Sequence, residues 1–414
     1  MQASYKILIN CYACSPNRGS EPGMGWNFII HLAKYHSLYI ITEKVKWEKE
    51  INNYIEEHID NKENLHFYFI SKKRNKLLRK IWPPSYYWYY KEWQKKAYHL
   101  ALKLDKEVSF DIIHQLNMVG YREPGYLWKI NKPFVWGPIG GMNITPWCML
   151  PSMGVYGATF YFFRNMINLF QMNFGKRIDN CMKHTDTVIT ATKDNYDAVK
   201  KLWGVESVIM SEIGSFSKNG DIEIKKRQVD EPLKICWSGQ HTPRKSLNLL
   251  IDSVSEIISN HEIELNVIGV GRQTKSWKTL ARKRGVDNII WYGWVERQKA
   301  IEIMKNCHIF CITSLSDLTS TVLLEALSYG LPVIALDHCG FSNVITEKCG
   351  IKIPIHSKKH VIQGLSEAMK KLYSDENLRL NLAKGALERS GNFSWVGKVN
   401  TLNTIYNRLV NYEK

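Results

Sequence analysis

Short apolar runs recur along this chain, each followed by a polar or glycine-bearing loop and then by helical spacing. In the first half they cover residues 5–11 (YKILINC), 38–42, 110–114, 134–136, 187–191 and 208–210. In the second half they cover 233–237, 265–269, 288–291, 308–312 and 331–336. Runs that are mostly apolar, rather than alternating, predict strands buried on both faces, as in parallel sheets covered by helices. Between the two sets, residues 216–232 turn polar and charged. The pattern therefore predicts an α/β fold with two Rossmann-like domains, 1–215 and 233–390, joined by a linker at 216–232 and closed by a segment, 391–414, with helical spacing. The 414 residues are enough for two such cores.

One unit concentrates the candidate chemistry. After the apolar run at 308–312 comes a polar turn, 313–320, a helical stretch, 321–329, a stop at Gly330 and the next run at 331–336. In such strand–loop–helix–strand units a ligand sits beyond the carboxyl ends of the strands, near the helix N-terminus. Asp317 lies in the loop and Glu325 on the helix, with seven residues between them. Thr319, Ser320 and Thr321 are candidate caps, and free backbone N–H groups beside them favour a phosphate. Carboxylates on either side of an anion site suit a ligand with hydroxyls flanking a phosphate, as in a nucleotide sugar. An ordinary capped helix with a surface glutamate is the plainer alternative.

The wording around these acids is more specific. Asp317, seven residues, then Glu325-Ala-Leu, two residues, and Gly330-Leu-Pro-Val-Ile-Ala335 resembles the donor-binding signature of retaining glycosyltransferases of family 4 (group 1), which have the GT-B fold. The usual first acid there is Glu; Asp317 keeps an acceptor on a shorter arm. The resemblance implies two Rossmann-like domains facing across a cleft, with Asp317 on the transferred sugar and Glu325 on the ribose. It also implies that the last helix crosses back to the first domain. At 238–246 (SGQHTPRKS) the family has Gly-Arg, then Arg-Lys-Gly, and its first Arg and its Lys neutralise the donor diphosphate. Here Gly239 and Lys245 match, Gln240 replaces the first Arg, and Arg244 is the candidate to restore the charge. By the same resemblance Trp294 lies near the base. The likeness is strong over 233–341 and looser elsewhere.

The first half is less definite. The loop after residue 11 carries Gly19, Glu21, Gly23 and Gly25, and the family places a glycine-bearing loop here, facing the cleft. A plain tight turn remains the alternative. After 110–114 the family places a second histidine on the sugar; here that position is Leu116, leaving His114 or Asn117 as substitutes. Gly140 and Gly141 follow another strand and read as acceptor-side or cleft-lining, or as a simple turn.

A net charge of +17 is compatible with nucleic acid, an anionic membrane or anionic small substrates. Without RNA-binding signatures or zinc-finger spacings, no nucleic-acid partner is expected. Two aromatic-rich stretches favour a lipid surface. Residues 72–96 interleave Lys and Arg with Trp82, Tyr86–Tyr90 and Trp93, and 151–174 is rich in Phe, Tyr and Met with Arg164 as its one charge. Packing against the protein core explains either stretch equally well. No apolar stretch approaches the length of a membrane span. Nine scattered cysteines and a start without a signal-like apolar core predict a cytoplasmic protein, at most peripheral on the inner membrane face. The pair Cys11 and Cys14 reads as buried thiols more readily than as a redox motif.

These readings converge on a metal-independent retaining glycosyltransferase without cofactor. It would move a sugar from a nucleotide-diphosphate donor to a glycan or lipid-linked acceptor, such as a growing bacterial envelope polysaccharide. The rivals are a nucleotide-sugar epimerase of similar architecture and a non-catalytic scaffold that retains the fold.

Overall fold

The computed structural model describes residues 4–59, 62–73, 75–82, 85–215 and 222–412. Within them lie thirteen strands in two parallel sheets. The first sheet comprises β1 (Lys6–Cys11), β2 (Ser37–Glu43), β3 (Leu65–Ile70), β4 (Ile112–Asn117), β5 (Phe134–Ile139), β6 (Thr187–Thr190) and β7 (Val208–Ile209), in the order 3-2-1-4-5-6-7. The second comprises β8 (Leu233–Ser238), β9 (Ile263–Ile268), β10 (Ile289–Gly293), β11 (Ile309–Ile312), β12 (Val333–Leu336) and β13 (Gly350–Ile353), in the order 10-9-8-11-12-13. Every strand pair is parallel, and β4, β5, β11 and β12 are buried along their whole length. For β5, β11 and β12 this is the physical counterpart of their apolar runs, whereas β4 is buried with His114, Gln115 and Asn117 in it.

Both sheets are doubly wound, and each reverses direction once. In the first the reversal lies between β1 and β4, in the second between β8 and β11. At such a switch point the loops leaving the two strands diverge to opposite faces and open a crevice beyond the strand ends.

The chain divides into two compact units, and the division is not a single cut. The first unit holds the chain up to Met142, Phe170–Gly214 and the chain from Trp395 onward; the second holds Asn143–Leu169 and Ser215–Ser394. The terminal helix Trp395–Tyr412 is fixed in the first unit by Trp395 against Phe28 (5.1 Å between rings) and by the buried Tyr406.

The segment Asn143–Leu169 departs from the expected boundary at 215. Met149, Leu150, Met153 and Tyr161 belong to the hydrophobic core of the second unit, together with Leu233, Trp237 and Leu247. The amide of Asn248 donates to the Ser152 carbonyl (3.0 Å). Apolar side chains that fill the second core decide the membership, whatever the position in sequence. Of the expected linker, residues 216–221 lie outside the described residues, as do Arg74, Pro83 and Pro84 of the aromatic basic stretch. The remainder is bound to the second unit: the Arg227 N–H donates to Glu376 Oε1 (3.0 Å) and its guanidinium to the Tyr373 carbonyl (2.5 Å).

Candidate functional site

The loops leaving β8 and β11 flank the switch point of the second sheet, and they are stitched together. The Leu315 N–H donates to the Arg244 carbonyl (2.8 Å), and the Thr313 hydroxyl donates to the Lys245 carbonyl (2.8 Å). Thr313 in turn accepts from the indole of Trp237 at the end of β8 (3.1 Å). The β8 loop is also clamped to the loop after β9. Gly269 has φ +121°, and a Cβ on it would lie 2.0 Å from the Gly239 carbonyl oxygen, so only glycine allows the approach. His241, buried among Trp237, Trp277 and Trp291, bonds the Thr274 hydroxyl through Nδ1 (2.8 Å). Burial, and then the Lys278 charge, push its pKa down to about 4, so its ring is neutral.

On this frame three charges meet. The Lys245 ammonium donates to Asp317 Oδ2, and Arg244 Nη1 lies 3.3 Å from the same oxygen while donating to the Ser316 carbonyl at 2.8 Å. The Lys245 side chain is 10% exposed and that of Asp317 18%. Burial alone would raise the Asp317 carboxyl, but the charges of Lys245 and Arg244, with a bond from the Leu318 N–H, outweigh it and hold the group below its usual range. Asp317 is therefore an anion that orients two cations. Tyr161 adds a phenol beside them: burial raises its pKa, Arg244 and Arg164 lower it, and Asp317 raises it again.

Glu325 sits on the helix Thr321–Ser328, where Arg297 Nε (3.0 Å) and Nη2 (2.8 Å) both donate to its Oε1. Arg297 opens the helix that follows β10, three residues after Trp294, whose indole stands 73% exposed. The pair thus ties the Trp294 loop to the helix carrying Glu325. The expected caps differ in detail. Ser320 occupies the N-cap with φ +72°, but its side chain makes no capping bond, because a backbone in that region does not aim the hydroxyl at the first-turn N–H groups. Thr319 is buried, and Thr321 is the first helical residue. Gln240 is exposed, with its carbonyl accepting from the Thr242 N–H (2.7 Å).

In the first unit the strand ends at the switch point also converge, but around backbone. The Asn117 side chain is spent on Ala13, accepting from its N–H (3.1 Å) and donating to its carbonyl (2.7 Å). Glu21 accepts from the Val119 N–H (2.5 Å); burial, and then the nearby Glu212, raise its pKa against that bond. Gly140 exchanges bonds with Val119 and Tyr121, and Gly141 follows at φ +89°. The close approaches in the β1 loop belong to Gly23 and Gly25. A Cβ on Gly25 would meet the Ala13 carbonyl at 2.4 Å, whereas Gly19 has open space around it.

His114 is not presented to a ligand. It is fully buried, with Nδ1 on the Tyr406 hydroxyl and Nε2 on the Gly137 carbonyl, both 2.7 Å, and burial brings its pKa down to about 4. With both nitrogens engaged it serves packing. Cys11 and Cys14 are buried free thiols, and burial holds Cys14 well above the usual thiol range. Among the described residues no group of three His, Cys, Asp or Glu side chains is placed to hold a metal ion, and no helix is long and apolar enough to cross a membrane.

Comparison with known proteins adds to this geometry. Residues 220–389 match the family described as glycosyl transferases group 1. The chain is 26% identical over 205 residues to an uncharacterized glycosyltransferase of Methanocaldococcus jannaschii, a match covering 48% of this chain and 51% of the relative. It is 34% identical over 113 residues to the lipopolysaccharide 1,6-galactosyltransferase of Salmonella typhimurium, covering 26% and 31%. The chain thus spans about half the length, or less, of these curated relatives. Among solved structures, the Anabaena protein HepE in complex with UDP superposes with a TM-score of 0.63 at 14% identity, covering 98% of this chain and 100% of that one. That likeness shows the fold: two Rossmann-like α/β units of the kind found in GT-B glycosyltransferases.

Proposed function

We propose that this protein is a retaining glycosyltransferase that moves a sugar from a nucleotide-diphosphate donor to a glycan or lipid-linked acceptor, without a metal. The observation that carries the reading is the Arg244–Asp317–Lys245 cluster at the switch point of the second sheet, inside the stretch that matches group 1 glycosyl transferases. Two fixed cations in a half-buried site are what a departing diphosphate requires. Lys245 and Arg244 neutralise the leaving group, Asp317 accepts from a sugar hydroxyl, and Glu325 accepts from the ribose. The bond between the anomeric carbon and the diphosphate oxygen breaks, and the acceptor oxygen bonds that carbon on the same face. The acceptor proton passes to the leaving diphosphate. Gly239, Gln240, Ser320 and Trp294 line the donor, while Glu21, Gly140 and Gly141 belong to the acceptor side; Asn117, whose amide is held by the Ala13 backbone, is left out of the chemistry.

The names of two similar proteins favour a bacterial envelope role and a uridine donor, one being a lipopolysaccharide galactosyltransferase and the other a complex with UDP. The protein acts in the cytoplasm, at the inner face of the membrane. A thermal-shift panel of UDP-, GDP- and ADP-sugars on wild type and Glu325→Ala tests the reading. One nucleotide class should stabilise the wild type and not the variant, and transfer with that donor should persist in excess chelator. No shift with any donor at about millimolar concentration, where even weak donor complexes form, would sink it.

A further inference from the structure

The helix Gly154–Phe174 is inverted relative to an ordinary surface helix. Its inner arc carries Gly157, Tyr161, Asn165, Asn168 and Met172, all buried. Asn165 accepts from the Thr145 N–H (3.1 Å) and donates to the Thr145 carbonyl (2.8 Å). Gly157 lies so near Pro243 that a Cβ would stand 2.7 Å from its ring. The helix is thereby fixed against the loop that carries Arg244 and Lys245. Its outer arc is aromatic and aliphatic: Val155, Tyr156, Phe160, Phe163, Ile167 and Phe174 among others, from 44% exposed at Phe162 to 87% at Val155.

Folding does not account for that arc. Gly157, Tyr161, Met172 and two asparagines seat the helix, and most of its large apolar side chains are left outside, over 21 residues or about 30 Å at 1.5 Å per residue. A contiguous exposed apolar stripe of this kind marks an interaction or membrane site more often than a plain surface. The helix carries no acid, its one charge is Arg164, and Lys176 and Lys183 stand exposed just beyond its end on a chain of net charge +17. A second aromatic and basic segment borders the same loop as its C-terminal turn. Arg122 of that loop donates to Gln171 (2.5 Å), and the loop's Met118 accepts from the Tyr86 hydroxyl (3.3 Å). Near Tyr86, Leu77, Ile81, Trp82 and Trp88 are exposed beside Arg79 and Lys80. Aromatic side chains framed by cations suit the interface of an anionic bilayer, where rings sit at headgroup depth and lysines meet phosphates.

We infer that the outer face of helix Gly154–Phe174 docks on an anionic lipid surface, lying in the interface plane. The docking stands on this helix alone; its purpose, to hold the Arg244–Asp317–Lys245 site at a lipid-linked acceptor, rests on the transferase reading.

The test is flotation of the whole protein with vesicles of phosphatidylglycerol and phosphatidylethanolamine, and with neutral phosphatidylcholine vesicles. Wild type should float with the anionic vesicles at low salt. The triple variant Phe160→Ser, Phe163→Ser, Ile167→Ser should bind at least tenfold more weakly, with its melting temperature and donor-induced shift unchanged. Lys176→Glu with Lys183→Glu should weaken binding to anionic vesicles at low salt and not at high salt. Wild type that ignores anionic vesicles, or a triple variant that binds as wild type, overturns the inference. So does a triple variant that converts a dimer to a monomer in light scattering without changing flotation, since a second copy then covers the face. A wild type that floats but shows no shift with any donor would overturn the transferase reading and leave the docking standing.

Discussion

The ammonium of Lys245 rests on the carboxylate of Asp317, and Arg244 approaches the same oxygen from 3.3 Å. Asp317 and the Ser316 carbonyl hold the two cations in place, so binding a diphosphate requires little reorganisation. Lys245→Ala should abolish donor stabilisation and lower turnover about 100- to 1000-fold. Asp317→Ala should cost about 1–3 kcal/mol of stability, between the values for exposed and buried pairs, by leaving two cations unbalanced. The double variant should lose less than the sum of the singles, which denaturant melts of all four proteins would show.

The same pair fixes a pH dependence. Because the folded state holds Asp317 below its usual range, the pair stabilises the protein fully above about pH 4, the ordinary carboxylate value, and its contribution is lost as pH falls through the depressed one. Asp317→Asn should therefore lose less stability than wild type on acidification below that pH.

Glu21 gives the opposite sign. Its pKa is raised by burial and by Glu212, so the folded state favours the protonated form and the ionised form costs stability at neutral pH. Glu21→Gln, which keeps an acceptor for the Val119 N–H, should stabilise the protein at pH 7 by about 1 kcal/mol, or roughly 2–4 °C. The gain should vanish below about pH 4, where the carboxyl is neutral in both states. An unchanged melting temperature at pH 7 would show that Glu21 is comfortably solvated.

Lys398, on the terminal helix, donates to the Ser211 carbonyl (2.7 Å) and hydroxyl (2.8 Å), and burial brings its pKa down to about 7. From there up to about pH 10.4 the unfolded chain holds the proton that the folded one has released, so stability rises with pH. Lys398→Met should flatten that rise in urea melts at pH 7 and 9.5.

His114 should prove structural. Tyr406→Phe removes one of its two hydrogen bonds and should cost about 1 kcal/mol, and His114→Leu more, with donor stabilisation intact in both. A His114 variant of full stability and no turnover would return it to the chemistry.

The sequence carried the second unit further than the first. Asp317 and Glu325 lie where a strand, loop and helix follow one another locally, and the family resemblance supplies their roles and that of Lys245. Tyr161, Thr313 and Arg297 escaped notice because their partners are distant in sequence: Tyr161 reaches Arg244 from another part of the chain, and Arg297 pairs with Glu325 across two helices. His114 misled because a histidine at a strand end looks alike whether it faces a ligand or a core tyrosine. The edge strand β3 (LHFYFI) and β13 were missed as well; β3 is only half-buried along its length, and β13 is a four-residue strand with two half-buried positions. In the helix Gly154–Phe174, composition gave the apolar content but could not say that the asparagines would be the side turned inward.

The interleaving of the chain between its two units also bears on how the protein could be divided. Met142 to Asn143, Leu169 to Phe170, Gly214 to Ser215 and Ser394 to Trp395 are four crossings, so no single break releases an intact half. A gene cut near residue 215 would yield a later fragment whose core lacks Met149, Leu150, Met153 and Tyr161, and an earlier fragment without Trp395 and Tyr406. Each fragment would hold the missing piece of the other. Co-expressed, the two should reassemble as complementing partners, and expressed alone each should be insoluble.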